Sequence, residues 1–193
     1  MRKPAGIVLF PGAGSSADHP SLIALEESLA PIPVRRVDFP YRRAGRRAPD
    51  RAPVLLACVR EEVRAFAAEL GVPTSRLVIG GRSMGGRMCS MAAADADDPL
   101  KVAGLVLVSY PLHPPAKPEK LRTEHLPGIT VPTLCVSGTK DTFGTPQELK
   151  RHFRKVKGDV TWTFLEGKGH DLKNSDAAIV SAVREWLGLR PAG

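Results

Sequence analysis

The sequence predicts an α/β protein: one domain, residues 1–193, with a mostly parallel sheet of about six strands covered by helices on both faces. Three observations carry that expectation. Short apolar runs rich in β-branched residues alternate with segments of helical periodicity. The run at 102–110 is almost unbroken apolar sequence, as in a parallel strand buried on both faces. Residues able to do chemistry fall just after the strands, where ligands bind in such sheets.

Residues 7–10 read as the first strand, running into Pro11-Gly12-Ala13-Gly14-Ser15-Ser16. That loop lacks the lysine of a phosphate-binding loop and the third glycine of a dinucleotide fingerprint. Ser21 is placed as the cap of a short helix to about residue 29, which Pro31 and Pro33 stop. Residues 34–39 form a second strand closed by Pro40, followed by an arginine-rich loop at 42–47. Over 53–70, Val54, Leu55, Cys58, Val59, Val63, Phe66 and Leu70 recur at helical spacing, and Gly71 ends the helix.

Leu77-Val78-Ile79 is a buried strand that breaks at Gly80-Gly81, and a helix begins at Met84. The turn, Gly81-Arg82-Ser83-Met84-Gly85, fits the G-x-S-x-G nucleophile elbow, in which a serine on a strained turn projects its hydroxyl above the sheet. A side chain at Gly81 or Gly85 would collide as strand and helix pack around the turn. Beyond the strand at 102–110, residues 111–126 are rich in proline and charge, too polar for a core element, and are placed at the rim of the site. A strand at 131–137 leads to Asp141, a helix follows at 146–156, and the strand at 160–165 leads to His170 before a last helix at 176–187.

Composition narrows the function. A chain of 193 residues with 42% hydrophobic content buries one substantial core. The apolar stretch near the start is too short for a signal-peptide core or a membrane span, so a cytoplasmic protein is expected. Cys58, Cys89 and Cys135 are widely spaced in apolar segments, which indicates buried thiols and not a disulfide framework or a zinc site. The net charge of +8 has no aromatic residues interleaved for base stacking, so neither nucleic acid nor membrane is expected as a partner; the 42–47 run reads as a solvated loop.

Ser83, Asp141 and His170 therefore follow the chain order serine, acid, histidine that accompanies the nucleophile elbow. Such a set attacks a carbonyl, with His170 as the base, Asp141 orienting it, and the N–H groups of Met84 and of the Gly12-Ala13 segment receiving the oxyanion. Glu166 and Asp171 compete for the acid, and His19, His113, His125 and His152 for the base. No spacing makes a metal site, and no cofactor is expected.

The segments Phe10-Pro11-Gly12-Ala13-Gly14, Asp38-Phe39-Pro40-Tyr41, Gly80 to Arg87, Tyr110-Pro111-Leu112-His113-Pro114-Pro115, Leu121-Arg122-Thr123-Glu124-His125-Leu126 and Gly138-Thr139-Lys140-Asp141 resemble the small α/β-hydrolase family related to dienelactone hydrolases. That family includes the hydrolase-like domain of a chromatin acetyltransferase-complex subunit and testis-expressed relatives. The resemblance spans residues 7–187 and implies a minimal hydrolase core without a large lid domain; Pro11 departs from the histidine usual before the first glycine. The resulting expectation is a serine hydrolase of an ester or thioester, with Arg82, His113 and Arg122 as substrate-binding residues; Arg82, Arg87 and Arg122 are candidates to hold a carboxylate or phosphate of the substrate, the alternative for each being a surface or structural salt bridge. The alternative is an interaction module that keeps the scaffold and binds a protein or polyanion through the arginine loop.

Overall fold

A computed structural model describes residues 3–189. Six strands form one all-parallel sheet: β1 (Gly6–Phe10), β2 (Val34–Arg36), β3 (Leu77–Arg82), β4 (Gly104–Val108), β5 (Thr133–Gly138) and β6 (Val160–Leu165), in the order β2-β1-β3-β4-β5-β6. The helices are α1 (Pro20–Ser28), α2 (Pro40–Arg43), α3 (Ala52–Glu69), α4 (Met84–Ala94), α5 (Pro146–Phe153) and α6 (Asp176–Trp186).

Side-chain alternation divides the core in two. Val8 and Phe10 of β1, Leu77 and Ile79 of β3, and Leu105 and Leu107 of β4 pack with residues of α3, α4 and α5. Their neighbours Ile7, Leu9, Val78, Val106 and Val108 face the other way and pack with α1 and α6. The central strands are thus apolar at successive positions because both faces are covered. All three cysteines are free and buried. Among the described residues, no helix is long and apolar enough to cross a membrane.

Several boundaries differ from expectation. The second strand ends at Arg36; Val37 and Phe39 are buried, and Pro40 opens the short helix α2 inside the segment expected to be an arginine loop. Its charges are partly neutralised, Arg43 by Glu62 and Arg46 by Asp50. The cap of α1 is His19, whose Nδ1 accepts the Ser21 N–H, and not Ser21 itself. The 111–126 connection is irregular, as its prolines dictate, but it is not wholly polar packing: Leu112, His113, Thr123 and Leu126 are buried.

Candidate active site

The carboxyl ends of β1, β3, β5 and β6 meet at one cavity of about 580 Å³, lined by Gly12, Ala13 and Gly14 after β1, Ser83 and Met84 after β3, and His170 after β6. Its volume lies within the roughly 300–1,000 Å³ usual for small-molecule sites.

At the elbow Ser83 has φ 46° and ψ −113°, a conformation that side chains rarely adopt. Glycine makes the turn possible. A Cβ on Gly81 would stand 1.9 Å from the Phe10 carbonyl oxygen of β1, and one on Gly85 would stand 2.3 Å from the same atom. Gly81 is held against the neighbouring strand, while Gly85 and Gly86 carry the close approach of helix α4 to the sheet: a Cβ on Gly86 would lie 2.8 Å from the Gly81 oxygen.

His170 bridges Ser83 and Asp141. Its Nε2 is 2.8 Å from Ser83 Oγ, and its Nδ1 is 2.9 Å from Asp141 Oδ2 and 3.0 Å from Oδ1. An ionised carboxylate only accepts, so Nδ1–H donates to Asp141, and Nε2 is left to accept the Ser83 hydroxyl proton. Asp141 is 1% exposed, and its Oδ1 also accepts the Phe143 N–H at 2.8 Å. Glu166 and Asp171, four residues before and one residue after His170, do not take this place.

Met84 is the first residue of α4, so its N–H has no partner within the helix. Gly12 lies against Ser83, with a Cβ built there 3.6 Å from Ser83 Cβ. The Gly12 carbonyl accepts from Ser15 N, and the Ala13 carbonyl accepts the Tyr41 hydroxyl at 2.9 Å. Because each peptide is trans, fixing these carbonyls also fixes the N–H groups on their opposite sides.

The three residues expected to bind substrate separate. Arg122 lines the cavity. Arg82 also reaches it, but is 6% exposed and donates through Nη2 to the Asp171 carbonyl at 2.7 Å and through Nη1 to Ser21 Oγ at 3.4 Å. Burial holds its guanidinium below the usual arginine range. His113 is not among the lining residues: it is 5% exposed, its N–H donates to the Phe143 carbonyl, and its Nε2 faces Glu148 Oε1 at 3.7 Å.

Phe143 was not singled out by sequence reasoning. Its ring stacks on His170, with centroids 4.0 Å apart and an interplanar angle of 28°, while its backbone holds Asp141. The available signal was the Asp-x-Phe spacing, since an aspartate commonly accepts the N–H two residues on. Arg87, a candidate with Arg82 and Arg122 for an anionic group, lines the cavity one helical turn past Ser83. Among the described residues, no group of three or more His, Cys, Asp or Glu is placed to hold a metal ion.

Comparison with known proteins agrees with this architecture. A family model described as an alpha/beta hydrolase domain matches residues 3–186. Est1E from Butyrivibrio proteoclasticus superposes with a TM-score of 0.74 at 17% identity, covering 96% of this chain and 88% of that one. A dienelactone hydrolase from Anabaena variabilis gives 0.74 at 20% identity, with 98% and 89% covered. The RedJ thioesterase of the prodiginine biosynthetic pathway in Streptomyces coelicolor gives 0.65 at 16% identity, with 92% and 88% covered.

Proposed function

We propose, from the premise that this chain belongs to the alpha/beta hydrolase domain family, that it is a serine hydrolase cleaving an ester or thioester through an acyl-enzyme. The observation that carries the reading is the continuous hydrogen-bonded line from Ser83 through His170 to buried Asp141.

In the first step Ser83 Oγ bonds to the substrate's carbonyl carbon as its proton passes to His170 Nε2. The carbonyl oxygen becomes an oxyanion, received by the N–H groups of Met84 and of the Gly12-Ala13 segment; one such donor is worth about 10²–10³ in rate in other enzymes. Collapse expels an alcohol or thiol, which takes the proton from Nε2, and a water repeats the sequence on the acyl-serine. Asp141 holds the Nδ1–H and stabilises the imidazolium each time it forms. An esterase, a dienelactone hydrolase and a thioesterase among the structural neighbours support this substrate range. Three buried free thiols fit a reducing compartment, and we place the reaction in the cytoplasm. Closer kinship with the chromatin-complex subunit and its testis-expressed relatives rests on the elbow and the Tyr110-Pro111-Leu112-His113-Pro114-Pro115 segment.

The test is intact-mass analysis after exposure to a fluorophosphonate. Wild type is expected to gain one adduct, Ser83→Ala none, and His170→Ala to react about 10³-fold more slowly or worse. A folded wild type that stays unlabelled would overturn the reading and turn attention to the interaction-module alternative. That alternative is weakened by the ion pairs of Arg43 and Arg46, which occupy part of its contact surface.

A further inference from the structure

The cavity above Ser83 holds a charge imbalance that the hydrolytic machinery leaves unused. Arg82, Arg87 and Arg122 line it, against the single carboxylate residue Asp171. Arg82 is accounted for by the Asp171 carbonyl and the Ser21 hydroxyl. Arg87 and Arg122 are not. Among the described residues neither forms an ion pair with a carboxylate, and the Arg122 side chain donates only to the Pro111 carbonyl, at 3.3 Å. The Arg87 Nε is buried without a hydrogen-bond partner.

The two guanidinium groups act on one another. Burial and the charge of Arg87 together hold Arg122 below the usual arginine range. Among the described residues, the titratable side chains beside them supply no paired anion: His125 is held neutral by burial and by Arg87, with its pKa lowered to about 4, and the Tyr110 hydroxyl donates to the Arg122 carbonyl. Two partly buried cations without a counter-ion are unfavourable unless an anion joins them, and the guanidinium fork matches a carboxylate or phosphate.

Position adds proximity: Arg87 lies in the first turn of α4, and its N–H donates to the Ser83 carbonyl at 3.0 Å.

We propose that Arg87 and Arg122 form an anion subsite that holds a carboxylate or phosphate of the substrate in the same cavity as the carbonyl that Ser83 attacks. The role of this anion in catalysis rests on the hydrolase reading; its binding does not.

Titration calorimetry with glutarate and with phenyl phosphate tests the binding directly, on full-length wild type, Arg87→Met, Arg122→Met and Arg122→Lys. Wild type should bind at least one anion with 1:1 stoichiometry. Either Met variant should weaken it about tenfold or more, and Arg122→Lys, which keeps charge but loses the fork, should fall between. The tighter of the two anions identifies the group. Kinetics with mono-4-nitrophenyl glutarate and 4-nitrophenyl valerate compare esters that differ in terminal charge. Wild type should prefer the charged ester about tenfold or more in kcat/KM, and the Met variants should lose that preference mainly through KM. No binding of either anion, binding unaffected by both Met substitutions, or equal kcat/KM for the two esters would overturn the subsite. Anion binding lost on Arg87→Met in a protein that no fluorophosphonate labels would keep the subsite and overturn the hydrolase; a labelled protein indifferent to ester charge would do the converse.

Discussion

Arg82 stands between the two segments that carry Ser83 and His170: it precedes Ser83 in the chain and donates to the carbonyl of Asp171, the residue after His170. One buried side chain thereby ties the elbow turn to the His170 loop. Arg82→Met should remove about 1.5–3 kcal/mol of stability through the lost charged hydrogen bonds. It should also slow fluorophosphonate labelling of Ser83 by about 10- to 100-fold, because small misplacements of a catalytic group are costly. Urea denaturation and labelling rates measure the two effects separately. Lost stability with an unchanged labelling rate would make the residue structural and nothing more. An arginine inside the elbow reads from sequence as a substrate ligand because its partner lies 89 residues away. Local composition likewise marks residues 111–126 as exposed, whereas Leu112, His113 and Thr123 are buried. Ser83, Asp141 and His170 were legible because each follows a strand whose apolar pattern is local.

Among the elements, β1, β3 and α4 form the junction on which the site depends. Their backbones approach so closely that Gly81→Ala would place a Cβ 1.9 Å from the Phe10 oxygen, at a φ of +147°. The loss in stability is expected to exceed about 4 kcal/mol, the range of severe core disruption. Gly14→Ala, in the same site but with nothing within 4 Å of the new carbon, should stay within about 0.5 kcal/mol. Urea midpoints at constant m-value decide it, and similar losses for the two would refute the steric account. All six strands and the five longer helices were visible in the sequence. Helix α2 was not, because four residues give no periodicity to read, and β2 shrank to Val34–Arg36 because its ladder with β1 ends there.

For the molecule as a whole, acid is the sensitive direction. Burial and Arg87 lower the pKa of His125 from 6.5 to about 4, and burial with Arg82 lowers that of His19. The folded state resists protonation that the unfolded chain accepts, so stability is full above about pH 6.5 and falls as pH drops toward the folded values. Between pH 6.5 and pH 5 the His125 contribution to this loss is on the order of 2 kcal/mol. Glu148 and Asp95, held low chiefly by backbone hydrogen bonds, add their losses at still lower pH. His125→Gln, which can keep the contact with Ser90 but does not titrate, should flatten the decline from pH 6.5 to pH 5 in urea unfolding. A decline as steep as that of wild type would assign the acid sensitivity to other groups.

The strand order β2-β1-β3-β4-β5-β6 has a consequence for a chain emerging from the ribosome. After β3, every new strand joins the edge that its predecessor has just completed, so the sheet can grow outward in step with synthesis. Ser83 is in place early. His170 arrives 87 residues later and 29 residues after Asp141, on the loop beyond the last strand. At about 5–20 residues per second, that leaves an interval of several seconds in which a nascent chain holds Ser83 without the His170 imidazole. Under the proposed mechanism, the topology delays reactivity until nearly the whole sheet exists to contain it.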